Sequence, residues 1–274
     1  MKRILVVNDL HCGSVYGILP PKFLTSDDKE LTQNSGQKYL WNCWEHMAAS
    51  VKNIDALVVN GDMIEGEAPK SRGADNCLPR MEDQAEAAVQ CLTYLIDKVK
   101  PAKTYCLMGT PYHDSAAGRE AEVIAQRLGA ERYLGLGPGR FCRDMLDLRV
   151  EGVVLNFLHG ASVSGGLYRM TGPDKEGVWS ALAGKEGKAF KADCVIRAHA
   201  HYFAHAEHPT KHIVINGCWS LQSGYARKSS AYRFIPDIGY IVINVDGEAK
   251  KREEDPCRIE KKLYPLPTPP INNL

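Results

Sequence analysis

The strongest constraint on the fold is the alternation of short apolar runs with amphipathic segments in the first half of the 274-residue chain. Residues 4–8, 55–60 and 104–108 are apolar runs that predict buried strands. Apolar side chains recur at helical spacing in the segments after them, which are residues 37–52, 80–100 and 119–128. This β-α-β-α-β-α order favours a layered α/β fold whose strands end at one edge of a sheet.

The second half of the chain predicts more strands than helices. Residues 142–150 and 153–159 form a predicted hairpin around a Glu-Gly turn, and residues 173–182 a predicted helix. Further strands are predicted over residues 194–198, 213–216 and 239–245. No linker or internal repeat divides the sequence. We therefore predict a single domain, residues 1–254, with loop insertions at about 12–35 and 66–79 and a Pro-rich C-terminal tail, residues 255–274.

Charge and cysteine usage restrict the classes of function. With 34 Lys and Arg against 33 Asp and Glu, the formal net charge of +1 excludes nucleic-acid binding by bulk basic charge, though not by a local patch. The nine cysteines are scattered and include no C-x-x-C motif, which is typical of a reducing compartment. No run of 18 apolar residues exists. We expect a cytoplasmic protein with no membrane partner.

Side chains that can hold metal ions follow five of the predicted strands. They are Asp9 and His11, then Asp62, then His113 and Asp114, then His159, and finally His199 and His201. Ligands of open α/β sheets bind at the carboxyl ends of the strands, so these side chains are expected at one edge. Carboxylates and imidazoles that meet there without a cation would be costly to desolvate. A divalent ion, or two ions bridged by one carboxylate, removes that cost and suits His and Asp ligands.

Each of these residues also has an interpretation without a metal. Asp9 alone fits a turn, His159 alone fits a core histidine, and His199 with His201 fits a surface pair. The occurrence of all of them after strands, in one order along the chain, favours the metal interpretation.

The ordered set resembles the calcineurin-like metallophosphoesterase superfamily. The pattern of that family runs Asp-x-His, Gly-Asp, Gly-Asn-His-Asp/Glu, a single His and then Gly-His-x-His. The resemblance covers about residues 4–201 of this chain. It implies an α/β fold, namely a four-layer α/β/β/α sandwich with a dinuclear metal site at the C-terminal edge of the strands.

The resemblance also implies a role for each motif residue. Asp9, His11 and His201 would hold one metal, His159 and His199 would hold the second, and Asp62 would bridge the two. His113, paired with Asp114, would be the catalytic histidine.

Two positions depart from the family pattern. Gly109-Thr110-Pro111-Tyr112-His113-Asp114 has two extra residues and carries Thr110 where the family has a metal-binding Asn. Thr110 is therefore a candidate for weak ligation through its hydroxyl group, with a looser second metal as the consequence. Ala198 replaces the Gly of Gly-His-x-His.

The resemblance implies a metal-dependent phosphoric ester hydrolase that attacks phosphorus with a metal-bridging hydroxide while His113 assists the leaving group. We expect a phosphodiesterase or nuclease-like enzyme acting on DNA, RNA or a nucleotide. A phosphomonoesterase, acting on a small molecule or a protein, is the alternative within enzymes. A catalytically weak metal-binding assembly module is the alternative outside them. The expected cofactors are two divalent ions, with Mn first and Fe, Zn or Ni also compatible with the ligands.

The sequence says less about substrate and partners. Arg169, Trp219 and Arg227 are candidate substrate contacts, although packing or solvated surface would explain the same residue types. The two predicted loops offer either a substrate lid or a homo-oligomer interface.

Overall fold

The computed structural model of the chain describes residues 1–69, 72–114, 118–133, 139–160, 168–209, 211–229, 232 and 234–267. The strands in these residues are β1 (Lys2–Val7), β2 (Phe23–Leu24), β3 (Glu30–Leu31), β4 (Ala56–Asn60), β5 (Lys103–Leu107), β6 (Cys142–Arg143), β7 (Met145–Val150), β8 (Val153–Leu158), β9 (Cys194–Arg197), β10 (Ala204–His208), β11 (Lys211–Ile215), β12 (Ile238–Val245) and β13 (Cys257–Tyr264). The helices are α1 (Ser35–Ser50), α2 (Met81–Val99), α3 (Arg119–Arg127), α4 (Thr171–Lys185), α5 (Gly224–Ser229) and α6 (Gly247–Lys251).

The strands form two larger sheets and one small hairpin. The first sheet has the order β13-β12-β1-β4-β5-β6, with β1, β4, β5 and β6 parallel and β12 and β13 antiparallel. The second has the order β10-β11-β9-β8-β7, in which β8, β9 and β11 are parallel. β2 and β3 pair with each other as a two-stranded sheet. The predicted α/β class is confirmed as a mixed fold with parallel and antiparallel pairing.

Alternate side chains of the central strands enter two different cores. Leu5 of β1 and Leu57 of β4 belong to the core that includes the apolar stripes of α1, α2 and α3. Ile4 and Val58 point the other way and share a core with Phe157 of β8 and neighbouring strands of the second sheet. Both faces of the first sheet are therefore covered, which explains why its strands are continuous apolar runs. Helix α4 packs on β9 and β11 of the second sheet.

The long predicted helices are confirmed to within about three residues at each end. Local chemistry fixes the start of α1, where Asn34 and Gln37 form a capping box: the Asn34 side chain accepts from the Gln37 backbone N–H at 2.9 Å. Helix α2 ends at Val99 and is capped by Lys100, whose left-handed backbone precedes Pro101. No helix in the described part of the chain is long and apolar enough to cross a membrane.

The predicted strand over residues 142–150 is wrong as one element. Its first two residues pair with β5 in the first sheet, where Cys142 lies opposite Cys106. From Met145 the chain pairs with β8 in the second sheet, where Met145 lies opposite Leu158. The chain crosses between the sheets at Asp144, so that Cys142 lies in the first core and Leu146 in the core between the two sheets.

The tail predicted to begin at Asp255 is also wrong in its first part. Strand β13 pairs with all eight residues of β12 and forms an edge of the first sheet. Cys257 and Ile259 pack against the core between the two sheets, whereas Lys261 and Lys262 are exposed on this edge strand, where charge discourages further pairing. Residues 268–274 lie outside the described part of the chain.

The segment predicted as a loop over residues 12–35 is packed rather than loose. Ile18, Leu19 and Phe23 are fully or almost fully buried in the first core. Strands β2 and β3 form a short hairpin within this segment. Residues 70 and 71 of the other predicted loop lie outside the described residues.

The buried Trp44 gives a test of the first core. Its indole N–H donates to the Cys91 carbonyl at 3.1 Å, and its ring meets that of Trp219 edge-on at 4.6 Å. We expect Trp44→Ala to lower the free energy of unfolding by about 3–5 kcal/mol, because it leaves a large cavity. The matched control is Trp179→Ala, since Trp179 is 65% exposed on α4; its expected effect is within about 0.5 kcal/mol. Urea unfolding measures both, and equal effects would contradict the packing described.

Candidate metal centre

The centre lies where the parallel strands of both sheets end. Asp9 and His11 follow β1, Asp62 follows β4, and His159 follows β8. The turns after β1 and β4 run side by side, because Asp9 N–H donates to the Gly61 carbonyl and His11 N–H donates to the Asp62 carbonyl, both at 3.1 Å. The side chains predicted to gather at one sheet edge are therefore brought together there.

Most of these residues have an unusual backbone. Five of them have φ between 45° and 69°, the left-handed region that side chains other than glycine rarely adopt, namely Asp9, His11, Asp62, His199 and His201. Each such residue costs about 1–3 kcal/mol, and the surrounding structure must enforce it. Strained backbone at five of the predicted ligands supports a functional role for this edge.

Two glycines allow the close approach of neighbouring ligands. A Cβ atom on Gly61, which has φ of 81°, would lie 2.4 Å from Nδ1 of His159. A Cβ atom on Gly109 would lie 2.0 Å from Oδ1 of Asp62. Any larger residue at either position would displace a ligand side chain.

The first group of ligand atoms surrounds one oxygen of Asp9. Asp9 Oδ1 lies 3.2 Å from His201 Nε2 and 3.8 Å from His11 Nε2. The two imidazole nitrogens lie 3.0 Å apart. These three side chains have the spacing of ligands to a single ion.

The second group surrounds one oxygen of Asp62. Asp62 Oδ2 lies 2.9 Å from His159 Nε2 and 3.6 Å from His199 Nδ1. Asp9 belongs to this group as well, since its Oδ1 lies 3.8 Å from His159 Nε2. Asp62 in turn lies within 4.8 Å of ligand atoms of His11 and His113. Both carboxylates thus lie between the two groups.

The ligand atoms that face one another are buried and unpaired. Four of them have no hydrogen-bond partner among the described residues: Asp9 Oδ1, Asp62 Oδ2, His159 Nε2 and His199 Nδ1. His159 Nε2 is close to Asp62 Oδ2 without the alignment of a hydrogen bond. Unpaired buried polar atoms are costly, and a cation coordinated by them removes the cost. This donor set of imidazole and carboxylate fits divalent transition metals.

The opposite atoms of the same side chains are held by hydrogen bonds. Asp9 Oδ2 accepts from the Asn8 side-chain amide at 2.5 Å and from the His199 backbone N–H at 3.1 Å. His159 Nδ1 lies 2.7 Å from the Asn60 carbonyl, which requires a proton on Nδ1 and leaves the lone pair on Nε2. The free lone pairs of Asp9 and neutral His159 therefore face the place where ions would bind.

Thr110, the candidate weak ligand, contacts a ligand instead. Its backbone N–H donates to Asp62 Oδ1 at 2.7 Å, and its hydroxyl lies 3.3 Å from the same atom. In this structure Thr110 orients Asp62.

Glu65 completes the site and was not predicted from the sequence. Its Oε2 lies 2.9 Å from His11 Nδ1, so that the imidazole presents Nε2 to the ions. Its backbone carbonyl lies 2.5 Å from Nδ1 of His113. The only signal in the sequence is a carboxylate three residues after Asp62.

The predicted pairing of His113 with Asp114 is wrong. His113 is held by the Glu65 carbonyl, and its Nε2 faces the centre, 3.9 Å from Asp62 Oδ2. Asp114 accepts a hydrogen bond from the Gly109 backbone N–H within the same turn. Through this hydrogen bond the Asp114 carboxylate stabilises the turn and does not orient His113.

The charges of the centre are mutually dependent. Burial disfavours ionised Asp9 and Asp62, but His159 and the neighbouring histidines together outweigh burial and hold the pKa of both carboxyls well below their usual range. Burial also disfavours charged His159, yet Asp62 and Asp9 raise its pKa to about 9. The two carboxylates thus favour the charged form of His159, and that charge in turn favours the ionised carboxyls. Burial and the neighbouring His11 lower the pKa of His113, which favours its neutral form.

The three predicted substrate contacts have different positions. Trp219 is fully buried, and its ring packs against Trp44 and Tyr264, so its prediction as a substrate contact is wrong. Arg169 is partly exposed and lies over the Tyr202 ring, 4.7 Å from its centre. Arg227 is exposed on α5.

Comparisons with known proteins give structural similarity alone. No family model and no curated protein matches the chain. Vps29 from Entamoeba histolytica, solved with Zn²⁺, is 11% identical with a TM-score of 0.46, over 96% of this chain and 99% of that one. An archaeal phosphodiesterase is 9% identical with a TM-score of 0.46, over 96% of this chain and 100% of that one.

A Streptococcus pneumoniae protein described as a predicted phosphoesterase is 11% identical with a TM-score of 0.37, over 95% of this chain and 98% of that one. These neighbours have the calcineurin-like metallophosphoesterase fold, the fold of the family that the sequence motifs resemble. Because the TM-scores are below 0.5, the chemistry of the centre rests on its own side chains.

Glu65 provides a test of how the centre holds its ligands. We expect Glu65→Ala to weaken divalent-metal binding by about 10–100-fold, because His11 loses the carboxylate that orients it. Isothermal titration with Mn²⁺ measures the change. Glu67→Ala is the matched control, since Glu67 is exposed two residues away. Equal affinities for the two variants would contradict the orienting role.

Asp114 predicts a pH dependence of stability. Burial, followed by the charge of Asp62, raises the pKa of Asp114 to about 7, whereas an unfolded Asp titrates near 3.9. Between about pH 4 and 7 the folded chain keeps a proton that the unfolded chain has lost, so the stability from this group is present below pH 4 and disappears as the pH rises to about 7.

In EDTA, we therefore expect Asp114→Asn to gain on the order of 2–3 kcal/mol of stability relative to the unsubstituted chain between pH 5 and pH 8. Urea unfolding at several pH values measures this gain. Asp97→Asn, on the exposed side of α2, should show no such trend. A constant difference between Asp114→Asn and the unsubstituted chain would refute the raised pKa.

Proposed function

We propose that the chain is a metal-dependent phosphoric ester hydrolase with a dinuclear centre, and that it acts on phosphodiesters. The observation that carries the proposal is the set of four buried, unpaired ligand atoms that Asp9, Asp62, His159 and His199 direct at one another. Two sheets that face each other, with helices packed on both, support the four-layer α/β/β/α arrangement implied by the sequence resemblance.

Each group of ligands would hold one ion. Asp9, His11 and His201 form the first position, and Asp62, His159 and His199 the second, with both carboxylates near the middle. Divalent ions there would lower the pKa of bound water and neutralise charge on phosphoryl oxygens. We propose Mn²⁺ first, with Fe, Zn and Ni as alternatives that the same ligands accept.

His113 is the residue that we propose to move the proton of the leaving group. Its Nδ1 is occupied by the Glu65 carbonyl, so Nε2 is the atom that faces the centre. The Glu65 carbonyl accepts the Nδ1 hydrogen, so the proton that His113 exchanges with a substrate would be carried on Nε2. A protonated His113 would donate from Nε2 to the departing oxygen, which stabilises the charge that develops there.

The contacts that bind the substrate must lie close to the ions. A net charge of +1 provides no broad attraction for a polyanion. We propose a nucleotide or a nucleic-acid end or single strand, with Arg169 as a local cationic contact beside the His201 loop. A cytoplasmic location agrees with nine free cysteines, eight of them buried.

Hydrolysis of bis-p-nitrophenyl phosphate with added Mn²⁺ tests the proposal. We expect Asp62→Ala to abolish activity, because it removes a ligand central to both groups, and His113→Ala to reduce kcat by about 10²–10⁴-fold. His208→Ala is the matched control, since His208 is exposed on β10 near Asp174. Release of p-nitrophenol measures all three.

The same assay separates the alternatives. Faster hydrolysis of p-nitrophenyl phosphate than of the diester would favour a phosphomonoesterase. A chain that binds metal but hydrolyses neither ester, with any of Mn²⁺, Fe²⁺, Zn²⁺ or Ni²⁺, would be an assembly module, and the enzyme proposal would be wrong. A panel of DNA, RNA and cyclic nucleotides then identifies the diester.

A further inference from the structure

A second cluster of metal-binding side chains lies on the hairpin formed by β10 and β11. Glu207 and His212 are direct cross-strand partners, and His205 lies opposite Val214. Val214 belongs to the core between the two sheets, so the alternation of side chains places His205, Glu207 and His212 on that same inner face. Their ligand atoms lie within 4.8 Å of one another.

The histidines in this cluster are oriented as metal ligands are. His212 is buried, and its Nε2 lies 2.9 Å and 2.8 Å from the two carboxylate oxygens of Asp255, which requires a proton on Nε2. The other nitrogen, Nδ1, then carries a lone pair and lies 2.9 Å from His205 Nε2. A carboxylate behind a ligating imidazole is the usual outer partner in zinc sites.

The cluster opens into a cleft that suits a cation. The cleft has a volume of about 400 Å³, and the described residues that line it include three carboxylates, those of Glu207, Asp246 and Asp255, and the guanidinium of Arg258. Met1 also lines it, so the cleft lies at the amino end of β1, whereas Asp9 follows the carboxyl end. A six-residue strand, roughly 20 Å long, separates the two places.

We propose that this cleft holds a transition-metal ion of the Zn²⁺ class, bound by His205 Nε2, His212 Nδ1 and the Glu207 carboxylate. Two nitrogen ligands of a tetrahedral zinc are about 3.3 Å apart, so the observed separation needs only a small adjustment of the rings. The fourth position faces the cleft. Asp255 contacts His212 and also accepts the Cys257 backbone N–H at 3.0 Å. The ion would therefore link the hairpin to the start of β13.

A chain of hydrogen bonds without an ion is the rival explanation. In that case His205 would donate to His212, which would donate to Asp255, and Glu207 would have no part in it. Removal of Glu207 therefore separates the two explanations, because Glu207 is exposed and its loss leaves that hydrogen-bonded chain intact.

The experiment counts zinc ions in the full-length protein after metal removal, saturation with Zn²⁺ and dialysis. His205→Ala and Glu207→Gln are each expected to retain one zinc ion fewer per chain than the control His208→Ala. His208 shares the strand with them but faces the other side, near Asp174. Mn²⁺-dependent diester hydrolysis should be unchanged in all three variants, since none touches the catalytic centre.

Thermal unfolding provides the second measurement. The rise in melting temperature caused by Zn²⁺ should be smaller for Glu207→Gln than for His208→Ala. The folded His208→Ala chain binds the ion in the cleft, and an ion that binds only the folded state stabilises it. Equal zinc counts and equal Zn²⁺-induced shifts for these two variants would overturn the proposal. If His205→Ala fails to fold, Glu207→Gln and anomalous scattering at the zinc edge from the unsubstituted protein decide it, and no zinc peak between His205 and His212 would refute the site.

Discussion

The burial of two carboxylates at one sheet edge is the constraint on which the rest of the site depends. Asp9 and Asp62 are completely inaccessible to solvent, and each keeps one oxygen without a hydrogen bond from the described residues. Such charges persist in a protein interior only when opposite charge compensates them. His11 after β1 and His159 after β8 have raised pKa values and supply part of that compensation, and divalent ions at the same place would supply it more completely. The loops, the glycines and the outer hydrogen bonds all serve to hold these two side chains in position.

The two sheets meet at this edge through asparagines that end their strands. The side chain of Asn216, after β11, donates to Asn8, after β1, at 2.6 Å, and Asn8 donates in turn to Asp9. Asn60, at the end of β4, lies 3.4 Å from the Leu158 carbonyl of β8. These contacts join the sheets next to the ligands, so the left-handed turns at Asp9 and Asp62 are enforced from both sides. The cost of that strained backbone is offset by the two large cores behind it.

Sequence reasoning succeeded where a residue type and its position after a strand were enough. The parallel strands bring their carboxyl ends to one edge, which is why the sequence could predict that Asp9, Asp62 and His159 meet. It failed where the direction of a side chain decided the outcome. Asp114 turns back to the Gly109 backbone instead of toward His113, and Trp219 turns into the core. Glu65 was missed because a carboxylate in a loop carries no pattern of its own. Strand β13 was missed because the prolines after it dominated the composition.

The two ends of the molecule hold metal-binding residues by different means. At the carboxyl ends of the strands, single residues in strained turns supply the ligands, and their spacing depends on the joining of the two sheets. At the other end, regular cross-strand pairing sets His205, Glu207 and His212 on one face of a hairpin, and no strained backbone is found at these three residues. A hairpin presents such a group without long-range assembly, and an ion there would add cohesion where β13 begins. Strained backbone is thus found at the centre that we propose to be catalytic. Regular strand pairing is found at the cluster whose ion we propose to stabilise the fold.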